Sequence, residues 1–241
     1  IAGIYQKFWS IEGSSVTEAE LSFLTTGFLF KPLNKTLICL IPKTKRTMTV
    51  HDYRPFSLCN VRYKIGAKVL ANRLSLVLPD LLADNQCAFL KGRLISDNIL
   101  LAHEVIEYIK KLNKQGSLSS FGVKLDMNKA YDRVSWAFLE AVMAKMGFSP
   151  KWIQLISQCV STVQFAVLVN GTPSVFFEPA AGLRQGDPLS PYLFLLVMHV
   201  LSEGFAHLAS HNNCRGIAIS RQLPPISLLL FDDDCFIFLN Y

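Results

Sequence analysis

The sequence predicts an α+β fold in which helices pack on a mostly antiparallel sheet. Strand-like and helix-like stretches alternate along the chain without the regular strand, helix, strand rhythm of a parallel sheet. Two pairs of apolar runs are each joined by a short polar turn, at residues 170–171 and at residues 232–234. This pattern is typical of antiparallel hairpins.

Composition indicates a well-packed core or a piece of a larger protein, because 51% of the 241 residues are hydrophobic and the mean hydropathy is +0.30. The first residue is Ile1, and no signal-peptide pattern follows it, so we expect an excised fragment. The longest strongly apolar stretch, 193–201, contains His199 and is far shorter than the roughly 20 residues needed to cross a bilayer. We therefore expect no membrane span.

The six cysteines contain no CxxC pair, which argues against a zinc site and against a dense disulfide framework. A reducing, intracellular setting is the prediction that follows.

Charge is distributed unevenly along the chain. The formal net charge is +6, but residues 31–73 carry ten basic side chains and one acid, Asp52, so the rest of the chain is net acidic. A concentrated basic segment together with a carboxylate-rich one is typical of nucleotide chemistry, in which cations bind phosphates beside a metal site. The alternative is an ordinary solvated basic face.

The first regular elements are a strand, a basic loop and a helix. Residues 36–41 form a short apolar run that stops at Pro42 and leads into the basic loop 42–55. From Val61 the apolar residues recur at helical spacing, and Pro79 is predicted to end this helix.

A second helix is predicted over about 97–111, with Ser96 or Asp97 as its cap, followed by a loop at 115–120. The strand that comes next alternates apolar and other residues over 121–127. Its odd-numbered residues are apolar, so Asp126 is predicted to point away from the packed side.

The second half of the chain continues with helices at about 135–146 and 150–160. A hairpin formed by strands at 163–169 and 174–178 follows, and then a long helix that reaches about Ala209. The aspartate hairpin closes the chain.

The aspartates carry the predicted chemistry. Asp126 lies on one strand and Asp233 and Asp234 lie on another, and two such strands can pair although they are far apart in sequence. Carboxylates brought together in this way could hold two Mg²⁺ ions about 3.5 to 4 Å apart for phosphoryl transfer. The alternative for each aspartate is a plain role in a turn or at a strand end.

Five ordered segments carry a resemblance to a known family: YRPFSLCNVRYKIGAKVLANRL, GRLISDNILLAHE, KLDMNKAYDRVSW, GLRQGDPLSPYLF and LLLFDDDCFIF. With them the chain resembles, from about Leu33 onward, the reverse transcriptase of LINE-type non-LTR retrotransposons, the plant group especially. The resemblance implies right-hand polymerase fingers and palm, with an antiparallel palm sheet packed on helices and no thumb. It places the fingers mainly in residues 1–120, with 1–30 the least clearly assigned part, and the palm mainly in 121–241, truncated before the thumb.

The resemblance also implies roles for the acidic motifs. Asp126 matches the first palm carboxylate, with the Met127 carbonyl as a further metal ligand. Asp233 and Asp234 match the family's catalytic aspartate pair, so these residues would bind two Mg²⁺ ions, for which Mn²⁺ can substitute. Tyr131 falls where the family carries the aromatic side chain that excludes a ribose 2′-hydroxyl; its alternative is a core tyrosine.

Substrate-binding positions follow from the same resemblance. Gln185 matches the residue that contacts the incoming nucleotide near its sugar, and Gly186 lets the backbone approach the substrate. Arg54, Lys43 and Arg46 are similar to the fingers residues that clamp the triphosphate, a task suited to guanidinium and ammonium groups. For the lysine, a solvated surface position is the alternative.

The implied partners are an RNA template, a DNA primer and dNTPs, without a membrane, and the implied location is the nucleus at the site of integration. Two alternatives come from other classes: a non-catalytic RNA-binding remnant of such an element, and a group II intron-type maturase reverse transcriptase.

Three positions depart from the family pattern. Asp232 stands where the family usually has Ala, Ala181 where Arg is usual, and His199 where an acid is common. A third carboxylate beside the catalytic pair should disfavour the charged state of its neighbours or repel the primer phosphate. The sequence therefore predicts negligible primer extension by this copy.

Overall fold

The computed structural model describes residues 2–114, 120–211, 215–220, 222 and 224–240. Cys214 and, apart from Ser120, the predicted loop at 115–120 lie outside these residues. The chain forms two compact units: unit 1 comprises Ile1–Leu74 and Tyr131–Leu193, and unit 2 comprises Ser75–Ala130 and Phe194–Tyr241. The division into fingers before residue 120 and palm after it stays a prediction.

The elements are named in chain order. The helices are α1 (Ala2–Lys7), α2 (Trp9–Thr26), α3 (Val61–Leu81), α4 (Ile95–Lys114), α5 (Trp136–Lys145), α6 (Pro150–Ser161) and α7 (Ser190–Ser210). The strands are β1 (Lys35–Pro42), β2 (Tyr53–Cys59), β3 (Ser120–Asp126), β4 (Gln164–Val169), β5 (Thr172–Pro173), β6 (Leu228–Phe231) and β7 (Asp234–Asn240). The predicted α+β class is confirmed.

Unit 1 contains a four-stranded sheet of order β2-β1-β4-β5. The β1–β4 pair is parallel and the other pairs are antiparallel. β4 and β5 join through Asn170 and Gly171, both of which have positive φ angles of 51° and 83°. A two-residue turn of this kind matches the right-handed twist of the strands, and the predicted hairpin is present.

The second strand of this hairpin differs from the prediction. β5 covers only Thr172–Pro173, and the predicted strand 174–178 keeps a single bridge to β4, at Phe177. The cause lies at Ser174, whose hydroxyl oxygen accepts a hydrogen bond from the Val167 backbone N–H at 3.0 Å. The Ser174 side chain thus accepts from the Val167 N–H, which a longer β5 strand would have bonded through a backbone carbonyl. The regular ladder between the two strands therefore stops at Ser174.

Unit 2 contains a three-stranded antiparallel sheet of order β3-β7-β6. One face of this sheet packs on α4. The shared core consists of Ala102, Val105, Ile109, Ile217, Leu229 and Phe238.

β3 does not show the single packed side that its alternation predicts, because residues 121–126 are exposed on both faces of the strand. Phe121 is 46% exposed, and it lies on the face that was expected to pack. Gly122 lies on the opposite face, where it pairs with the buried Phe238 and faces Ile109 of α4. Asp126 therefore shares the face that α4 covers further along the sheet. Alternation identifies the two faces of a strand but not the neighbours that approach each face, and here Gly122 lies against the Phe238 ring.

α3 does not stop at Pro79, as predicted, but continues to Leu81. The last carbonyl oxygens of a helix have no intrahelical donors, and the end of the helix is stabilised when they find other partners. Arg93 supplies them, because its guanidinium donates to the carbonyl oxygens of Pro79 and Leu82 at 2.9 Å each and of Ala83 at 2.6 Å. This arginine therefore caps the end of α3 within unit 2.

Other helix boundaries are close to the predicted ones. α4 begins at Ile95, so Ser96 and Asp97 lie in its first turn and do not cap it. α5 and α6 begin one residue after Ser135 and Ser149, whose hydroxyl oxygens accept hydrogen bonds from backbone N–H groups in the first turn.

α7 is long and apolar enough to cross a membrane by length and composition alone. One such helix is weak evidence, since the core helix of a folded domain passes the same test. Leu193, Leu195 and Leu196 of this helix are fully buried in the structure.

A half-buried carboxyl group, that of Glu20, lies between α2 and α3 of unit 1. Burial raises the pKa of Glu20 to about 7, against the opposing effects of the Gly66 backbone N–H and of Arg62. A side chain at Gly66 would collide with the Glu20 carboxyl, so the glycine makes room for it.

We expect the stability of the chain to fall as the pH rises toward neutrality. The folded-state pKa of Glu20 is raised, so its contribution is present below about pH 4.5 and is lost as the pH passes through about 7. Glu20→Gln should remove this dependence and raise the free energy of unfolding at pH 8 by about 1 to 2 kcal/mol, after allowance for solvent screening. Urea denaturation at pH 5 and pH 8 measures the effect.

The exposed Glu18 of the same helix provides the control. Glu18→Gln should keep the wild-type pH dependence, and an unchanged pH dependence in Glu20→Gln would contradict the prediction.

Candidate active site

Two of the predicted catalytic carboxylates lie opposite each other in unit 2. Asp126 is the last residue of β3, Asp234 is the first residue of β7, and the two are register partners. Directly opposed residues of an antiparallel pair project from the same face, with their Cβ atoms about 4.5 to 5.5 Å apart. The sheet therefore brings together two side chains that are distant in sequence.

The remaining aspartates form the turn of the hairpin. Phe231 pairs with Asp234, so Asp232 and Asp233 are the two loop residues between β6 and β7. Asp232 has a φ angle of 54°. Tight hairpin turns require a positive φ at the first loop residue, and aspartate tolerates this conformation better than most residues do.

A lysine pairs with this carboxylate face. The Lys124 Nζ atom lies 2.9 Å from Oδ1 of Asp234, and it also lies over the Phe236 ring, 5.6 Å from the centroid. The hydrogen bond and charge of Asp234 raise the pKa of Lys124, with smaller effects from Asp126 and Asp233. The Lys124 ammonium is thus a cation bound at the carboxylate face.

The donors suit a divalent ion in chemical type, but they do not form a complete set of three. Among the described residues, no group of three or more His, Cys, Asp or Glu side chains is placed to hold a metal ion. Asp233 occupies the turn, and Met127 directly follows β3. Carboxylate and carbonyl oxygens are the ligands that Mg²⁺ prefers, and the Lys124 ammonium already occupies the Asp126–Asp234 face as a cation.

The buried side-chain amide of Asn98 supports the aspartate hairpin through hydrogen bonds to backbone carbonyl groups. Asn98 of α4 donates to the Leu230 carbonyl oxygen at 2.9 Å and to the Asn85 carbonyl oxygen at 3.1 Å. The Leu230 N–H in turn donates to the Asn85 carbonyl oxygen at 2.8 Å, and Ser202 donates to the Asn85 side chain at 3.1 Å. These bonds fix the strand that leads into the three aspartates.

Sequence reasoning assigned no role to Asn98. The sequence contained a signal for its role, because Asn98 stands four residues before Ala102 and so lies on the buried, otherwise apolar stripe of α4. A polar residue on such a stripe needs a buried partner.

In unit 1, the loop that carries Gln185 is held against the segment that contains Tyr131. The Leu183 N–H donates to the Tyr131 carbonyl oxygen and the Gly182 N–H to the Val134 carbonyl oxygen, both at 2.8 Å. The Trp136 indole N–H donates to the Gly182 carbonyl oxygen at 2.8 Å. Two predicted substrate-binding segments are therefore adjacent.

The same loop also contacts β2. The Ser57 N–H donates to the Gln185 carbonyl oxygen at 2.9 Å. Gly186 has a φ angle of 97°, and a Cβ atom at this position would lie 3.0 Å from the Phe56 ring. Arg54 is exposed two residues before Phe56, on the same face of β2. Gln185, Gly186 and Arg54 thus belong to one region of unit 1.

A buried ion pair anchors this loop. The side chains of Arg184 and Asp187 are 4% and 3% exposed, and their closest atoms are 2.9 Å apart. Tyr63 donates its hydroxyl proton to Asp187 at 2.5 Å, and the Arg184 guanidinium stacks on the Tyr63 ring at 4.0 Å. Arg184 also donates to the Asn34 side chain at 2.6 Å and to the Cys159 carbonyl oxygen at 2.9 Å.

The consequence is a rigid support on both sides of Gln185 and Gly186. Burial raises the pKa of Tyr63 well above its ordinary value, so the hydroxyl stays protonated and remains a donor. Sequence reasoning missed this network. The charges of Arg184 and Asp187 flank the Gln-Gly pair in the motif, but their burial depends on Asn34 and Tyr63, which are far away in the chain.

Asp52, the one acidic residue of the basic loop 42–55, fixes the backbone of this loop through hydrogen bonds. Asp52 accepts hydrogen bonds from the backbone N–H groups of Met48 and Thr49, at 2.8 Å each, and these bonds lower its pKa. Lys43 donates its backbone N–H to the Asp52 carbonyl oxygen and its ammonium to the His51 carbonyl oxygen. Arg46 is exposed at the same loop.

Comparisons with known proteins show a matching family, related sequences and a similar solved structure. The sequence profile of the family described as "Reverse transcriptase (RNA-dependent DNA polymerase)" matches residues 41–241. The "Transposon TX1 uncharacterized 149 kDa protein" of Xenopus laevis is 27% identical over 194 residues, which is 80% of this chain and 14% of that protein. The "Retrovirus-related Pol polyprotein from type-2 retrotransposable element R2DM" of Drosophila melanogaster is 30% identical over 196 residues, covering 76% of this chain and 18% of that protein.

The structure of apo telomerase from Candida tropicalis, truncated from the C-terminal domain, superposes with a TM-score of 0.56 at 15% identity. The match covers 87% of this chain and 44% of the telomerase chain. At this identity the likeness concerns the fold.

We expect Asp187→Asn to destabilise the chain by about 3 kcal/mol, because it leaves the buried Arg184 guanidinium without a compensating charge. The free energy of unfolding from urea denaturation measures the loss. Glu107→Gln serves as the control, since it breaks an exposed ion pair with Lys110 and should cause no measurable change. Equal stability of wild type and Asp187→Asn would contradict the prediction.

Proposed function

The chain belongs to the reverse transcriptase (RNA-dependent DNA polymerase) family, and from this premise we propose that it copies RNA into DNA by metal-dependent nucleotidyl transfer onto a primer 3′-hydroxyl. The resemblance to non-LTR retrotransposon reverse transcriptases is confirmed by the relatives. The chain spans 14% and 18% of the lengths of the two relatives described above, so the activity of a whole protein is part of the proposal.

The observation that carries the proposal is the Asp126–Asp234 pair on one face of the β3-β7-β6 sheet. Both aspartates lie inside the matched region and at the ends of paired strands. We assign the palm mainly to residues 121–241 and the fingers mainly to residues 1–120.

The family generally uses divalent metal ions. In this chain Asp126, Asp233, Asp234 and the Met127 carbonyl would hold two Mg²⁺ ions, with Mn²⁺ as a substitute. When bound, such ions activate the attacking hydroxyl and stabilise the leaving oxygen in phosphoryl transfer. The chain's own part would be to orient these oxygens, and the pairing of Asp126 with Asp234 supports this role.

The residues of unit 1 would bind the nucleotide. Arg54, Lys43 and Arg46 offer exposed cations for the triphosphate. Gln185 and Tyr131 lie on segments joined through Leu183, a suitable arrangement for contact with the sugar of a dNTP. We assign Tyr131 the exclusion of a 2′-hydroxyl.

The partners in this proposal are an RNA template, a DNA primer and dNTPs. We place the reaction in the nucleus, at the site of integration. This placement rests on the relation to retrotransposons.

Primer extension with the full chain, a primed RNA template, dNTPs and Mg²⁺ or Mn²⁺ tests the proposal. In a chain that also carries Asp232→Asn, which removes the third carboxylate, Asp126→Asn should lower extension by about 100-fold or more, because it removes a metal ligand. Asp97→Asn is the matched control, since Asp97 is an exposed aspartate on α4. Extension that survives Asp126→Asn would contradict the proposal. Salt-sensitive RNA binding without extension would instead indicate a non-catalytic RNA-binding remnant.

Asp232 is expected to slow this copy. Asp232→Asn keeps a side chain that tolerates a positive φ and removes the third negative charge, so it should raise extension several-fold over wild type. Asp232→Ala removes the same charge but places a less tolerant residue in the turn, so its gain should be smaller. Extension rates of the three proteins, measured side by side, decide this. Equal rates in wild type and Asp232→Asn would show that the charge is harmless.

A further inference from the structure

The ion pair between Lys124 and Asp234 has a bearing on how this site takes up metal. Of the ion pairs among the described residues, it is the one that involves a predicted metal ligand. Lys124 stands on β3 two residues before Asp126, so both side chains project from the same face. Asp234 is the register partner of Asp126, which places the ammonium beside the carboxylate pair.

We propose that Lys124 is a built-in counter-cation that occupies the carboxylate face when no metal is bound and must withdraw from Asp234 before a divalent ion can bind. This inference rests on the proposed function. In it, Lys124 lowers the affinity of the Asp126–Asp234 site for a divalent metal ion.

Competition follows from the shared oxygen. Asp234 Oδ1 accepts from the Lys124 ammonium at 2.9 Å, and a Mg²⁺ ligand must approach its ion to about 2.0 to 2.1 Å. An ammonium at hydrogen-bond distance from that oxygen would also repel an incoming divalent cation. The two cations are therefore alternatives at Asp234.

Withdrawal of the lysine is feasible because the pair is not buried. The side chains of Lys124 and Asp234 are 54% and 45% exposed, so water can solvate each of them after separation. Lysine is a compact, hydrated charge on a flexible stem, which suits it to repeated release. The Phe236 ring, 5.6 Å from the ammonium, offers a neighbouring face on which the cation is also favourable.

A purely structural lysine would behave differently. If Lys124 only joins β3 to β7, its removal would lower stability and leave metal affinity unchanged or weaker. The two roles are separated by the direction of the change in metal affinity, which requires no catalysis to measure.

The experiment is a Mn²⁺ titration of the full chain by isothermal calorimetry or by electron paramagnetic resonance, without nucleic acid or nucleotide. Lys124→Gln should bind Mn²⁺ about two- to fivefold more tightly than wild type, the range expected from loss of one exposed ion pair. Lys124→Arg retains the charge and should stay close to wild type. Asp126→Asn should bind at least about tenfold more weakly.

Lys110→Gln is the matched control. Lys110 forms an exposed ion pair with Glu107 at 2.8 Å in the same unit, but on α4 and away from the predicted ligands. Its removal changes the net charge equally and should leave Mn²⁺ affinity unchanged. An equal rise in Lys110→Gln and Lys124→Gln would overturn the proposal, because net charge alone would then explain the effect.

The remaining outcomes separate this inference from the proposed function. Binding that depends on Asp126 but does not tighten in Lys124→Gln would overturn the role of Lys124 and leave the polymerase proposal intact. Absence of Asp126-dependent Mn²⁺ binding in every variant would overturn both.

Discussion

The register of β3 on β7 is the constraint on which the candidate site depends. Side chains alternate with a period of two residues, so a slip by one residue would move Asp126 to the opposite face from Asp234. Gly122 favours this register, because a Cβ atom at this position would lie 3.1 Å from the Phe238 ring, a tight contact. Since Phe238 belongs to the core with α4, the packing of the sheet sets the pairing of the carboxylates.

Buried polar groups extend this control from the strands to the loops. Asn98 donates to carbonyl groups at the aspartate hairpin in unit 2, and Arg184, next to Gln185 in unit 1, anchors its loop by donating to the Cys159 carbonyl oxygen of α6. Loops that bear functional side chains have few neighbours of their own, so a buried hydrogen-bond donor beneath them restricts their conformations. Each compact unit contains one such support.

The aspartate turn combines two requirements that conflict. Its first position needs a residue that accepts a positive φ, and Asp232 meets this need at 54°. The same residue adds a negative charge next to Asp233 and Asp234. The Lys124 ammonium offsets part of this charge, and the half-exposed setting of Lys124 and Asp234 screens the remainder. Three adjacent carboxylates are therefore tolerated in a turn whose geometry favours aspartate over alanine.

Local patterns explain why much of the fold could be predicted. Apolar runs and Pro42 located β1, the Asn170–Gly171 pair located a hairpin, and five ordered motifs led to the reverse transcriptase family and to Asp126, Asp233 and Asp234. Each of these signals is contained in a short stretch of chain, so no knowledge of its neighbours in space was required.

Other features could be known only from tertiary packing. The side of β3 that faces α4, the capped end of α3 after Pro79 and the burial of Arg184 all depend on residues that approach from elsewhere in the chain: Phe238, Arg93 and Asn34 respectively. Periodicity and turn propensity describe the preferences of a segment, whereas burial and hydrogen-bond satisfaction are properties of the pair of surfaces that meet. For this reason the motifs predicted which residues form the candidate site, whereas the hydrogen bonds that support those residues were decided by tertiary packing.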